Sequence, residues 1–319
     1  MRHRLEYFAV VVMTVLVRLL PWGAVRGLGN ALGFAFYAVD GTHRRITRSN
    51  LVRAFPLRSE RECRALCRSV FLHFGRLALE LLKFSTLTQD EMLSLVEFEG
   101  DDRARQAYSS GHGVIFLTGH FGFWELNGIV HALKVAPIGV LARALDNPYL
   151  NAMLERLRQS TGNSVIYRKG AARRIMRALS ANQGVAMLID QHVHGSDRVF
   201  VDFFDRPAAT TPSVAVLARR TGAVVIPVFA IPTADGRYRM VYEPPVPPPA
   251  DDSPEAIRDF TQRCTDVLEM YVRRYPHLWL WMHRRWRDEN AADALPGMFP
   301  SARGDRGASL QNGEEPQET

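Results

Sequence analysis

The sequence predicts an α/β protein with a mixed, largely parallel central sheet flanked by helices, preceded by an N-terminal helical region of different character. From Gly113 onward, apolar runs at 114–118, 138–142, 164–167, 185–189, 199–204 and 224–231 are separated by stretches long enough for a helix. Strands that alternate with helices connect most simply as parallel crossovers, whose buried faces need no polar alternation along the strand. Before them, residues 60–84 repeat apolar side chains at three- and four-residue spacing, the period of a helix with a buried face. The length of 319 residues suits one large α/β domain with added helices better than two equal domains, so one active site is expected.

Taken in order, residues 7–17 (YFAVVVMTVLV) form an uncharged run behind Arg2 and Arg4. Such a run makes about 16 Å of helix, short of a bilayer core of about 30 Å unless flanking residues join it and the arginines snorkel. A second apolar stretch, 28–39, precedes a basic segment from His43 to Arg53. No A-x-A-like cleavage site closes the first run, and the basic cluster behind it disfavours export. Residues 1–40 are therefore expected to be an uncleaved anchor region on the inner leaflet of a membrane. Nine arginines between Arg2 and Arg58 face only Glu6 and Asp40, an excess equal to the formal net charge of +7. Lysine occurs only at 83, 134 and 169, so nearly all positive charge is guanidinium, which grips phosphate or carboxylate with two prongs.

Cys63, Cys67 and Cys264 make neither a disulfide framework nor a paired zinc pattern, which points to a cytosolic-facing protein without a structural metal. Cys63 and Cys67 fall inside the periodic helix as packing residues. Proline-rich sequence at 244–254 ends the core strands, a helix is expected over 255–274, and an aromatic segment, HLWLWMHRRW, follows at 277–286. Past Asp288 the chain is rich in Gly, Pro, Ala, Asp and Glu and is expected to be disordered. The organisation is thus an anchor region 1–40, an α/β domain 41–288 and a tail 289–319.

The spacing His, four residues, acid occurs three times: His120 with Glu125, His192 with Asp197, and His283 with Asp288. A five-residue step on a helix turns about 500°, which leaves the two side chains on different faces. The pair works only where the histidine precedes a helix and the acid lies in its first turn. Gly119 and Gly122 allow such an irregular crossing around His120, directly after the run 114–118. That places His120 at the carboxyl end of a strand, the ligand-binding edge of an α/β sheet. A neutral imidazole there could take the proton of a hydroxyl nucleophile, with Glu125 fixing its tautomer and stabilising the imidazolium.

The run GHFGFWEL (119–126), followed in order by LARALDNP (141–148), LIDQH (188–192), VFVDFFDRPAATT (199–211), TGAVVIPVF (221–229) and HLWLWMHRRW (277–286), resembles the lipid A biosynthesis late acyltransferases. The resemblance covers roughly residues 5 to 288. It implies a glycerolipid acyltransferase-like fold and transfer of a fatty acyl chain from an acyl-carrier-protein or coenzyme A thioester to a glycolipid hydroxyl, with no cofactor beyond that co-substrate. It further implies His120 and Glu125 as the catalytic dyad, and Arg143 in the site on an acceptor phosphate or the developing oxyanion. Asp190 and Gln191 would support the acceptor side, with Phe123 and Trp124 as further substrate-side positions. The acceptor it suggests is a lipid A precursor, and the location the cytoplasmic face of the bacterial inner membrane among phospholipids. Phe123 stands where many relatives carry asparagine. Mycobacterial mannoside acyltransferases share the pattern, so a phosphatidylinositol mannoside is the alternative acceptor.

Other classes fit less of the sequence. No G-x-S-x-G nucleophile elbow occurs, which argues against a serine hydrolase. Asp190, His192 and His194 alternate as ligands on an extended strand would, so a metal-dependent hydrolase is the competing enzyme reading. Glycines at 27, 29 and 33 miss the dinucleotide-binding spacing and no strand precedes them, which leaves helix packing as their simpler role. A basic membrane adaptor without activity would bind anionic lipid without consuming thioester. Net charge alone speaks for nucleic acid, which is not expected as a partner.

Overall fold

The protein is described here by a computed structural model covering residues 1–195 and 198–287. Four helices open the chain: α1 (Arg2–Leu19), α2 (Trp22–Val39), α3 (Gly41–Ala54) and α4 (Glu60–Phe84). Next come α5 (Gln89–Ser94), β1 (Val96–Glu99), α6 (Asp101–Tyr108), β2 (Val114–Thr118), α7 (Trp124–Lys134), β3 (Ile138–Ala142), α8 (Pro148–Gln159), β4 (Ser164–Tyr167), α9 (Ala171–Ser180) and β5 (Gly184–Leu188). The chain continues through β6 (Val199–Asp202), β7 (Pro207–Thr210), α10 (Ser213–Thr221), β8 (Val224–Pro232), β9 (Tyr238–Tyr242) and α11 (Pro254–Arg274). The expected tail, 289–319, lies outside the described residues, as do the acids Asp197 and Asp288 of two of the histidine spacings.

Seven strands form one sheet in the order β1-β9-β8-β2-β5-β3-β4. β8, β2, β5, β3 and β4 run parallel, whereas β9 is antiparallel to β8 and β1 follows β9. The expected largely parallel mixed sheet is therefore present. β2 sits at its centre, and its side chains alternate between the two faces as the pleat requires. Val114 and Phe116 pack with Leu126, Ile129 and Val130 of α7 on one face, while Ile115 and Leu117 pack with Ile175 of α9, Val214 of α10 and Phe260 of α11 on the other. Helices thus cover both faces, and the carboxyl ends of five parallel strands are gathered at one edge.

Three strands have no clear signal in the sequence. β1 alternates charged with apolar residues, β9 carries an arginine, and β7 reads Pro-Ala-Ala-Thr; each is a strand because a neighbour supplies its hydrogen bonds. The run expected at 199–204 ends earlier, at Asp202, because Phe204 and Asp205 take positive φ (58° and 57°) in a tight hairpin. β6 and β7 form a separate two-stranded ribbon outside the main sheet, correcting the expectation of a core strand at 199–204.

At the N-terminus, α2 lies along α4 with their backbones in contact. A Cβ on Gly33 would stand 2.3 Å from the Phe71 carbonyl oxygen, and one on Gly75 would stand 2.4 Å from that of Gly29. Gly29 and Gly33 are thus a helix-packing surface, whereas a Cβ on Gly27 would meet open space. α1 joins through Val17, which packs with Val25 and Leu79, and is tied to the start of α8 by Asn147, whose Nδ2 donates to the His3 carbonyl and to Glu6 at 2.9 Å each. The outward faces of these helices expose Leu5, Phe8, Val15, Leu16, Leu19, Phe34, Phe36 and Val39. Among the described residues no helix is long and apolar enough to cross a membrane. All three cysteines are free and buried, Cys63 and Cys67 on α4 as expected.

Candidate active site

His120 follows β2 in an irregular turn set by two glycines. Gly122 has φ +58°, and a Cβ there would come within 2.0 Å of the Ala230 carbonyl oxygen; a Cβ on Gly119 would meet Leu268 and the Asp190 carboxylate at 2.9 and 3.1 Å. The register of the sheet then decides what His120 meets. β2 and β5 are parallel neighbours paired 70 residues apart, from Val114 with Gly184 to Thr118 with Leu188. Continued two residues beyond the strands, that offset sets His120 opposite Asp190. The His120 ring donates from Nδ1 to Asp190 Oδ1 at 2.8 Å, and its backbone N–H donates to Oδ2 at 2.7 Å.

Trp279 completes the carboxylate's shell, its indole Nε1 donating to Oδ2 at 2.8 Å. The segment around it is strapped across the His120 turn: Gly122 N–H donates to the Leu278 carbonyl at 2.9 Å and Leu280 N–H to the His120 carbonyl at 3.1 Å. Asn50 anchors the far side of the strap, donating to the carbonyls of Trp281 and His283 at 2.9 and 2.8 Å. Asp190 is only 3% exposed. Burial alone would raise its pKa, but the charge and hydrogen bonds of His120 with that of Trp279 outweigh it and bring the carboxyl down to about 2. For His120, burial disfavours the charged ring, yet the charge and hydrogen bond of Asp190, with the charge of Glu125 behind them, lift its pKa above the usual 6.5. With Nδ1 engaged, Nε2 is the ring nitrogen available to a hydroxyl. The ring keeps 21% of its surface exposed, at the carboxyl edge of the sheet.

The family described as bacterial lipid A biosynthesis acyltransferase matches residues 1–288. The chain belongs to that family. It is 26% identical over 289 residues to a lipid A biosynthesis lauroyltransferase of Escherichia coli, covering 90% of this chain and 92% of the relative. It is 24% identical over 275 residues to a phosphatidylinositol mannoside acyltransferase of Mycolicibacterium smegmatis, covering 85% and 88%. The crystal structure of a 1-acyl-sn-glycerophosphate acyltransferase from Thermotoga maritima aligns over 77% of this chain and 96% of its own at 18% identity and a TM-score of 0.36, too distant to place residues by.

The remaining predicted positions of this acyltransferase separate clearly. Glu125 is in the first turn of α7, as expected, but it is not the carboxylate behind His120. Arg158 of α8 holds it with two prongs, Nε to Oε2 at 2.9 Å and Nη2 to Oε1 at 2.5 Å, both side chains being largely buried. Asp190, expected on the acceptor side, takes the place foreseen for Glu125, because strand register brings it to Nδ1 while the helix turn carries Glu125 aside. Trp124 does adjoin the site, its ring edge-on to His120 at 5.4 Å. Phe123 does not: it is 1% exposed and packed between Phe84 and Tyr238. Gln191 follows Asp190 on the same edge and is half-buried. Arg143 stands just past the end of β3, its side chain 75% exposed and 3.4 Å from Asp146.

The metal-ligand arrangement read from Asp190, His192 and His194 does not form. Both Asp190 oxygens are engaged by His120 and Trp279, and the His192 ring packs edge-on to His194 at 4.6 Å. Among the described residues no group of three His, Cys, Asp or Glu is placed to hold a metal ion. His283 accepts from the His192 N–H at 3.2 Å, and burial, partly offset by Asp190, lowers its pKa to about 4. Arg285, 1% exposed, donates to the Ala209 carbonyl at 2.6 Å and to Thr210 Oγ1. Sequence reasoning gave Trp279 no role. Its signal was chemical: an indole N–H in an apolar segment must find an acceptor once buried.

Proposed function

We propose that the protein moves a fatty acyl chain from an acyl-carrier-protein or coenzyme A thioester to a hydroxyl of a glycolipid, with His120 as general base and Asp190 as the carboxylate behind it. The observation that carries this reading is the bond from His120 Nδ1 to a buried, ionised Asp190 at an open sheet edge. Nε2 takes the proton of the acceptor hydroxyl as its oxygen attacks the thioester carbonyl. The tetrahedral oxyanion collapses, the C–S bond breaks, and the imidazolium returns the proton to the thiolate. Asp190 stabilises the imidazolium between those two events and holds the tautomer that leaves Nε2 unprotonated beforehand. Arg143, exposed near this edge, is suited to an acceptor phosphate or to the oxyanion, and Trp124 and Gln191 to contacts with substrate. The two relatives above act, by their names, on lipid A and on a phosphatidylinositol mannoside, which supports a glycolipid acceptor with a lipid A precursor as the first choice.

The same reading puts the enzyme on the cytoplasmic face of the bacterial inner membrane. Apolar side chains exposed along α1 and α2, next to the arginines of the first 58 residues, suit helices lying in the interface among anionic phospholipids. Replacing Phe8, Leu16 and Phe34 together with serine should move the protein from the membrane to the soluble fraction; retention would remove these helices from the contact. For activity, full-length enzyme is incubated with acyl-carrier and coenzyme A thioesters and a panel of glycolipids, and products are read by mass spectrometry. One new acyl ester, absent with His120→Ala, is the expected result. A folded wild-type enzyme that transfers to no hydroxyl acceptor would overturn the reading.

A further inference from the structure

A polar cavity opens on the β8 side of the His120 turn. It has about 250 Å³ of free space between α2, α4 and the β8–β9 turn, with Arg26, His73, Arg76, Glu80, Gly236 and Arg237 in its wall and Phe123 as an apolar floor. β8 is the other parallel neighbour of β2, so this turn lies at the same edge of the sheet as His120. Two links join cavity and site. The His73 ring interacts with the backbone of Gly122, two residues from His120, and Phe74 packs on Trp124, which packs on His120.

Two features of this wall lack their complement within the protein. His73 is 4% exposed, yet its Nε2 has no hydrogen-bond partner, an uncommon condition for a buried polar atom. Arg76, one turn along α4 and half-buried, has no carboxylate partner among the described residues. The other cations are balanced: Arg26 by Glu80 at 2.9 Å, which also accepts from the Tyr238 hydroxyl at 2.8 Å, and Arg237 by Asp235 at 2.7 Å. The wall therefore has one unmatched positive charge beside one unmatched ring nitrogen. Burial and the charge of Arg76 hold His73 at about 3, so the ring is neutral, and with its N–H turned to the Gly122 backbone Nε2 is left as an acceptor.

Building on the acyltransferase reading, we propose that this cavity binds a phosphate-bearing headgroup, with the phosphate on Arg76 and an adjacent headgroup hydroxyl donating to His73 Nε2. Its volume is below the roughly 300–1,000 Å³ of drug-sized ligand pockets, and its wall is charged, which suits a headgroup fragment and excludes an acyl chain. A guanidinium supplies the two-pronged geometry that phosphate oxygens match. A phosphate held here would anchor the substrate beside the loop that presents His120, on the side away from Arg143. Phosphate occurs both on a phosphorylated glycolipid and in the arm of the thioester donor.

Glucose 1-phosphate, glucose and inorganic phosphate, titrated calorimetrically into the full-length protein, test the site without acyl transfer. Glucose 1-phosphate should bind, glucose should not, and Arg76→Gln should weaken binding about tenfold or more, the effect of losing a charge-assisted hydrogen bond. Arg76 is half-buried, so this variant should stay folded where His73→Gln does not. In the transfer assay, Arg76→Gln should raise KM for a phosphorylated glycolipid and not for the same lipid after phosphatase treatment. A rise in KM for the thioester instead would assign the phosphate to the donor. Undiminished binding of glucose 1-phosphate by Arg76→Gln, no binding by wild type, or unchanged KM for both substrates would overturn the proposal. Because the calorimetric titration needs no turnover, it tests the cavity even if no acyl transfer is found.

Discussion

Two carboxylates approach the His120 ring, and their surroundings differ in a way that separates their work. Glu125 leaves the first turn of α7 and meets a guanidinium, so its charge is matched by Arg158. Asp190 leaves the end of β5 and meets only groups that donate around the site: the His120 ring, the His120 backbone and the Trp279 indole. The first is an ion pair joining two helices; the second is a buried anion whose charge is matched by the ring when it is protonated. Proximity in sequence selected Glu125, whereas hydrogen bonding selects Asp190.

The largest expected effect tests that contrast directly. Asp190→Asn and His120→Ala should each lower kcat/KM by roughly 10²- to 10⁴-fold, the contribution of a positioned general base. The double variant should be little worse than either, because the pair acts as a unit. Near-normal transfer by Asp190→Asn would return the role to another carboxylate.

Glu125→Gln should act first on stability. It leaves Arg158, 14% exposed, without its partner, a change that should cost on the order of 2 kcal/mol, measurable as a lower denaturation midpoint. Its kcat/KM should fall less than tenfold. A catalytic loss matching that of Asp190→Asn, with the midpoint unchanged, would make Glu125 the reacting partner after all. Trp279→Phe keeps the aromatic volume but removes one donor to Asp190, and transfer should fall by about tenfold. If activity follows the midpoint instead, the strap serves packing alone.

The smallest effect is in the pH profile. His120 must be neutral to accept a proton, and its pKa is raised above 6.5, so kcat/KM should rise with pH through that raised value. Glu125 contributes to the raised value through its charge, so Glu125→Gln should move the inflection to lower pH by a fraction of a unit. An inflection that stays in place would show that Arg158 cancels the charge of Glu125 at the ring. The stability linked to the protonated ring has the opposite sign: it is present below the unfolded value and lost as pH rises through the folded one.

Local pattern was enough to locate most elements. β2, β3 and β4 are apolar runs whose ends coincide with glycine or polar residues, and α4 carries its period for seven turns with a Ser59–Glu62 capping box at its start. The strand-glycine-helix context also singled out His120 among the three histidines with a downstream acid. β1, β7 and β9 were not legible, because their side chains are indifferent to strand until a neighbour pairs with them. Phe123 was misplaced for a related reason: motif position gives the neighbourhood of a residue but not the direction of its side chain.

The sequence by itself determined the helices and most strands, the turn that presents His120, and the family. Those depend on residues close together in the chain, whose periodicity and glycine content act locally. Only the tertiary structure decided the partner of the histidine. Asp190 is 70 residues away, and it reaches His120 because two parallel strands pair in a register fixed by the packing of both sheet faces. Trp279, 89 residues beyond Asp190, arrives by a strap held across the His120 turn by backbone hydrogen bonds. Such contacts leave no spacing for a sequence to show, because the geometry that creates them exists only once the sheet has formed.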